Sequence, residues 1–328
     1  MRPFTYDRAE NVDGLLSALT DGTIRPLAGG TDLLPLLKAD ITRLERVVDI
    51  KRATDLPSAV RVDGERLEIG ALTTLAEIET SAEVRQYAAA LAAAAASAAT
   101  PQLRNMATLG GNLLQRSRCW YFRHPLISCW LKGGDDCPAR DGENQLHAIF
   151  EIDASPCVSV HPSDPATALV ALDAEIRVRS ASNERTVPVG DFFQPPTAQR
   201  RTETTLREDE IVLGVSLPLR GGDGWRSAYA KAMDRKVWAF AQASVALAVR
   251  IDADRVSEAR AALGGVATVP IRASAAEQAL RDGPLDEVRM RQAADAVVRD
   301  ATPLRNNGYK VPLLRSLFID VLRQLREP

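Results

Sequence analysis

The chain has 328 residues, 45% of them hydrophobic and 26% charged, enough apolar material for two or three compact units. Its 41 basic and 43 acidic residues leave a formal net charge of −2, which removes any electrostatic case for nucleic acid or an anionic membrane surface as partner. The most apolar run, YAAALAAAAASAAT from Tyr87, is too short and too rich in alanine to insert in a membrane. The opening MRPFTYDRAENVDG shows no basic-then-apolar leader, so cytoplasmic folding is expected.

In chain order, the first fifty residues read as a βαβ unit. Val12, Leu15, Leu16 and Leu19 share one helical face that ends at Gly22. The strand IRPL follows, then AGGTDLLPLLKAD, then LERVVDI as a second strand ending at Ile50. Alternation from Val60 to Leu72 about Asp63-Gly64 predicts a hairpin. Leu75 to Ala99 reads as one helix with an alanine-rich second half suited to close packing, stopped by Thr100-Pro101. SDPATALVALDAEIRVRS predicts a helix then a strand, and the stretch from Val187 to Leu219 a strand, a loop and a strand. RGGDG at Arg220–Gly224 is the best linker. Beyond it come strands at Tyr229–Ala232, Ala243–Ile251 and Val256–Gly264, then helices from Ser274 onward. The fold class is α+β with a smaller C-terminal domain.

Two glycine loops stand out. LAGGTDL (Leu27–Leu33) follows a strand and leads into a helix, and ATLGGN (Ala107–Asn112) repeats the threonine-and-glycine theme. Glycines allow close backbone approach, and successive N–H groups at a helix start suit phosphate. Neither loop is GxGxxG or a Walker loop, and either alone reads equally as a tight strand-to-helix turn. Together they point to a long diphosphate-bearing cofactor lying between them.

All four cysteines, Cys119, Cys129, Cys137 and Cys157, and all three histidines, His124, His147 and His161, fall in one short stretch. The spacing Cys-x9-Cys-x7-Cys-x19-Cys contains no CxxC knuckle of the zinc or ferredoxin kind. Disulfides lack a supporting secretory signal. Zinc, an iron–sulfur cluster and unligated thiols remain open from the residues alone.

LAGGTDL, TLGGNL, SDPATALVALDAEI, EIVLGVSLP and YAKAMDRKVWAFAQASVALAV occur in an order that resembles the FAD-binding subunits of the molybdenum hydroxylases. That family includes xanthine dehydrogenase, carbon monoxide dehydrogenase and aldehyde oxidoreductase, and the resemblance covers nearly the whole chain. It implies an FAD-binding domain of the vanillyl-alcohol-oxidase (PCMH) type, in two subdomains, over residues 1–220. A small α+β domain like that of the CO dehydrogenase flavoprotein would follow over 225–328. By the same resemblance, Pro26, Leu27, Ala28, Gly29, Gly30, Thr31, Asp32 and Leu33 serve the FAD diphosphate and neighbouring flavin contacts. Thr108, Gly110, Gly111 and Asn112 close on the diphosphate from the other side. Asp164 lies near the adenosine ribose, Ile211 at the adenine end, and Lys231 near the flavin. The plain alternatives are a helix cap for Asp164, a strand core for Ile211 and a solvated side chain for Lys231.

Most subunits of this family pass from the GGN loop to the SD loop in a short step, whereas here residues of about 113–162 intervene. The sequences QRSRCWYFRH, CPARDGENQLHAIF and CVSVHPSD resemble the aldehyde oxidoreductase branch, in which such an insertion holds a 4Fe–4S cluster. The resemblance thus implies Cys119, Cys129, Cys137 and Cys157 as ligands and leaves the histidines to packing or hydrogen bonding. Trp120, Tyr121, Phe122 and Trp130 would shield the cluster, and Arg116, Arg118, Arg123 and Lys132 would offset its charge, with solvated surface the plain alternative for the basic four.

The implied function is an electron-transfer subunit in a heterotrimer with a molybdopterin-binding large subunit and a 2Fe–2S small subunit. Substrate chemistry would occur on the large subunit, and no catalytic triad or carboxylate pair is evident here. The implied compartment is the cytoplasm, or the periplasm by export with a signal-bearing partner. The rivals are a stand-alone flavin oxidoreductase, for which the residues after Gly224 leave little room for a substrate domain, and a flavoprotein with structural zinc. A zinc-stabilised scaffold without flavin would leave the glycine loops unexplained.

Overall fold

In the computed structural model, which describes residues 1–19, 22–151 and 155–326, the chain builds three sheets in succession. Thr5–Arg8, Ile24–Leu27 and Arg46–Asp49 pair in parallel, the last of them in the middle. Parallel neighbours need a crossover, and the helix Val12–Ala18 supplies the first, burying Val12, Leu15 and Leu16 as their spacing predicts. Asn11 caps it, accepting from the Gly14 amide at 2.7 Å. The helix ends at Ala18 with Leu19 as its C-cap, short of Gly22, where the sequence places its end.

The second sheet is antiparallel, in the order Val60–Asp63, Arg66–Gly70, Ile211–Pro218, Glu175–Arg179, Glu184–Pro188. The expected hairpin turns at Gly64, whose φ is +58°. Ile211–Pro218 is central and buried on both faces, which is why IVLGVSLP reads as a continuous apolar run.

The single helix expected from Leu75 to Ala99 is instead three: Leu75–Thr80, Ala82–Tyr87 and Ala89–Ser97. Thr74 and Glu77 close a capping box, and Ser81 interrupts the run by accepting from the Val84 amide at 3.2 Å. Ala88 then leaves helical backbone with φ −147°. The last piece buries Ala90, Leu91, Ala92, Ala94 and Ala95, so it is covered on several sides. Thr100-Pro101 does more than stop it: Thr100 caps a further short helix, Pro101–Arg104.

The third sheet runs Ile271–Arg272, Arg255–Gly264, Ala243–Asp252, Trp225–Ala232, with Gly283–Pro284 also paired to Arg255–Gly264. Its two faces follow the strand period of two. Tyr229, Ala246, Ala248 and Ala262 share a core with the alanine helix, whereas Ala228, Val245, Leu247 and Leu263 pack with Leu280, Met290 and Phe318 of the C-terminal helices. Residue 220 therefore marks a change of sheet without a gap in the core. Asp173, at φ +51°, ties the two sides together through Arg220 at 2.6 Å, Arg260 at 2.9 Å and Arg272 at 2.5 Å. The architecture is α+β, and among the described residues no helix is long and apolar enough to cross a membrane.

Candidate functional site

The two glycine loops meet. A Cβ on Gly29 would stand 1.8 Å from the Met106 carbonyl oxygen, so only glycine lets the first loop lie against the residues leading into Thr108. Gly30 holds φ +71° in the turn before the helix Leu33–Lys38, with Thr31 beside it. Pro26 and Leu27 end the strand, and the Ala28 carbonyl accepts from Lys51 Nζ at 3.2 Å. In the second loop Thr108 caps the helix Leu109–Leu113, accepting from Gly111 N at 3.3 Å. Gly110 is enclosed, its Cβ direction blocked by Ala71 at 3.1 Å, while a Cβ on Gly111 would touch only Thr108 Oγ1.

Asn112 links this loop to the next element, because Ser163 Oγ donates to Asn112 Oδ1 at 2.5 Å and accepts from Ala166 N at 3.0 Å. Ser163 is thus the helix cap, and Asp164 is not. Asp164 is buried, accepting from Tyr229 OH at 2.6 Å and from Lys231 Nζ at 2.8 Å. Lys231 has a side chain only 1% exposed, so the solvated alternative fails. Tyr229 was missed in the sequence, although residues i and i+2 of a strand share a face and Lys231 pointed to it. The structure does not bring Ile211 to this cluster; it packs with Leu15, Leu16 and Val48.

Asp32 faces the insertion. Its carboxylate accepts from the Arg116 amide at 2.9 Å, from Arg123 Nη2 at 2.8 Å and from Arg118. Burial opposes ionisation, but Arg118 and Arg123 outweigh it and hold the carboxyl below the usual range. Arg116 also pairs with Glu203 at 3.0 Å, and Lys132 Nζ donates to the His124 carbonyl at 2.5 Å. The basic residues expected to offset a cluster are therefore engaged with protein oxygens.

The four cysteines are free thiols, with Cys129 and Cys157 buried and Cys119 and Cys137 half-buried. They lie within electrostatic reach of one another: Cys119 with Cys129 and Cys137, Cys129 with Cys137, and Cys137 hydrogen-bonded to Cys157. Neighbouring backbone amides favour ionisation of each thiol: Phe122 and Tyr121 at Cys119, Leu131 and Lys132 at Cys129, Val158 and Ala139 at Cys137, Ser159 at Cys157. Burial pushes the Cys119 thiol up to about 11. The bond between Cys137 and Cys157 draws the first down and pushes the second up. Leu36, Phe122, Trp130 and Leu131 pack with Cys119, Cys129 and Cys157, while Cys137 and Tyr121 pack against Ala139, Ala148 and Val158. Trp120 and Tyr121 surround the His147 ring instead, at 5.0 and 6.2 Å between centroids. Among the described residues no group of three or more His, Cys, Asp or Glu is placed to hold a metal ion.

The histidines differ. His147 Nε2 stands 3.1 Å from Cys119 Sγ, and burial, then the Lys310 ammonium, lower its pKa to about 4. His161 lies by the second glycine loop, where its Nδ1 accepts from Ser163 N at 3.3 Å and burial lowers its pKa to about 3. His124 is exposed.

A family model described as the FAD binding domain in molybdopterin dehydrogenase matches residues 2–220, and one described as the CO dehydrogenase flavoprotein C-terminal domain matches residues 228–325. The chain is 33% identical to the aldehyde oxidoreductase FAD-binding subunit PaoB of Escherichia coli, over 99% of both chains. It is 28% identical to the glyceraldehyde dehydrogenase medium chain of Sulfolobus acidocaldarius, over 92% of this chain and 89% of that one. Carbon monoxide dehydrogenase from Hydrogenophaga pseudoflava has a chain of the same fold, with a TM-score of 0.77 at 26% identity and 98% coverage of both. The chain belongs to the FAD-binding medium subunits of the molybdenum hydroxylases, and is an FAD-carrying oxidoreductase subunit.

Proposed function

We propose that this chain is the flavin subunit of an aldehyde oxidoreductase, holding FAD against its two glycine loops and a 4Fe–4S cluster on Cys119, Cys129, Cys137 and Cys157. What supports the cluster reading is that all four cysteines of the chain fall in one insertion, with Cys119, Cys129 and Cys157 packed in one apolar group. Neighbouring thiols would repel one another once ionised, and a cationic metal core would relieve that repulsion. The residue types are those a cluster would use, four cysteines with Phe122 and Trp130 packed beside three of them, although among the described residues no group of three is placed to hold a metal ion.

Bound FAD would accept electrons singly and release them in pairs, while the cluster would pass single electrons. The chain's own residues hold and orient. Gly29 and Gly30 bring backbone to the diphosphate, Gly111 leaves room beside it, and the buried Asp164–Lys231–Tyr229 cluster meets the adenosine and flavin side. The relatives are named as an FAD-binding subunit and a medium chain, which supports assembly with a molybdopterin-binding large subunit and a 2Fe–2S small subunit in a heterotrimer. Electrons would enter from the 2Fe–2S side and leave to an external acceptor. Cluster insertion would take place in the cytoplasm, before any export with a signal-bearing partner.

Iron, acid-labile sulfide, zinc and flavin content of anaerobically purified protein tests this. About four irons, four sulfides and one FAD per chain is the expected result. Zinc with FAD and no iron would turn the insertion into a structural staple, and FAD alone would leave the thiols unligated; either sinks the cluster reading.

A further inference from the structure

The carboxyl ends of the three parallel strands meet at one buried carboxylate. Strand register places Asp49 beside Leu27, where the first glycine loop begins, and beside Arg8 on the other flank. In open parallel sheets this end of the strands is where ligands bind. Asp49, only 6% exposed, accepts from Tyr6 OH at 2.7 Å and from Lys51 N at 3.0 Å. Its Oδ1 also accepts from Lys51 Nζ at 2.7 Å.

The carboxylate in turn aims the lysine. Lys51 Nζ donates to the Ala28 carbonyl at 3.2 Å, so the ammonium lies against the loop whose two glycines follow directly. An ammonium has three donors. Asp49 and Ala28 take two, and the side chain, 42% exposed, leaves the third open to a ligand. Other cations by the loops are already committed, Arg118 and Arg123 to Asp32 and Lys231 to Asp164. The second loop keeps space as well, since a Cβ on Gly111 would meet only Thr108 Oγ1.

We propose that Lys51 is a ligand of the FAD diphosphate, adding a full positive charge to the partial charges of the glycine-loop amides. The inference rests on the FAD reading of the two glycine loops and is independent of any metal in the insertion. Loop and helix-start amides offer an anion only fractional charge, so a cation held beside them contributes a separate, salt-sensitive part of the affinity. A lysine that only braced Ala28 would shape the loop and leave the salt response of binding intact.

The test is titration of FAD into flavin-stripped, full-length protein, followed by flavin fluorescence at about 0.05 M and about 0.5 M salt. Lys51→Met keeps the stem without the charge and should bind FAD about tenfold more weakly at low salt, the lower end for a hydrogen bond to a charged group. The gap to wild type should narrow at high salt. Lys51→Arg keeps the charge and should retain most of the salt response. Wild-type affinity in Lys51→Met overturns the proposal. A weaker affinity whose gap to wild type is the same at both salts overturns it too, because Lys51 would then be a brace for Ala28. Should Lys51→Met fail to fold, Lys51→Gln, which keeps N–H donors for Ala28, is judged by the same two criteria. Wild-type protein that takes up no FAD defeats the flavin-site reading itself, and the inference falls with it.

Discussion

Gly29→Ala is the most direct probe of how the flavin site is built. The new methyl would stand 1.8 Å from the Met106 carbonyl oxygen and 2.6 Å from its carbon, both of them backbone atoms. Reaching an ordinary contact of ~3.5 Å requires the two loops to part by roughly 1.7 Å. Overpacking of this kind costs about 1–3 kcal/mol. At about 2–4 °C per kcal/mol in domains of 150–250 residues, the FAD-stripped protein should melt about 2–12 °C below wild type. Displaced loops should also bind FAD less tightly, and binding at 100 times Kd stabilises by about 2.7 kcal/mol, so the deficit should widen when FAD is added. Gly111→Ala is the companion: it meets only the Thr108 hydroxyl, so it should melt near wild type when stripped yet load less FAD. Calorimetry with and without FAD, together with flavin absorbance, reads all four values. Wild-type melting and FAD content in Gly29→Ala would refute the reasoning.

Three further outcomes are expected. Lys231→Met strands the buried Asp164 carboxylate with only Tyr229 as donor, and should cost about 3–5 kcal/mol in urea denaturation; a loss below about 1 kcal/mol would contradict the pairing. Asp173 is opposed by burial but held below 3.8 by Arg220 and Arg272, so its contribution is present above the unfolded pKa and disappears as pH falls through the lowered folded one. Asp173→Asn should therefore be less stable than wild type at pH 7, with the difference shrinking below about pH 4; a difference constant with pH would show that ionisation is irrelevant. Burial lowers Lys310 from 10.5 to about 7, so from pH 7 upward the unfolded chain binds more protons and stability rises with pH. That slope, up to about 1.4 kcal/mol per unit between about pH 7 and pH 10.5, should flatten in Lys310→Met, and an unchanged slope would assign it to other groups.

The elements with a clear period were legible. Val12, Leu15 and Leu16 announced a helix, and the alternation about Gly64 announced a hairpin, because each pattern reports which side meets the core. The stretch from Leu75 to Ser97 was misread because its propensity is uniformly helical, while the breaks come from the Ser81 hydroxyl and from Ala88 leaving helical backbone. The glycine loops were visible as loops, but that they touch depends on Gly29 meeting Met106, a contact no local pattern encodes. Lys231 looked like a solvated strand lysine until tertiary packing placed Asp164 opposite it. The grip of Lys310 on His147 was invisible, since it joins residues 163 positions apart.

These attachments decide what removing a thiol should do. The insertion is tied at Asp32 by Arg116, Arg118 and Arg123, and at Trp130 and Gly134 by Arg201, whose guanidinium donates to their carbonyls at 2.5 and 2.8 Å. Residues 304–310 hold a third point. None of these ties uses a sulfur atom. Cys137→Ser should therefore lose iron and sulfide while the insertion stays docked and the first glycine loop, anchored through Asp32, keeps its FAD. Full iron and sulfide in the variant would sink the ligand assignment. FAD lost in step with iron would give the opposite order of dependence: Asp32 would then rely on Arg118 and Arg123 being positioned by the metal centre, and the flavin loop would be ordered only after the cluster is.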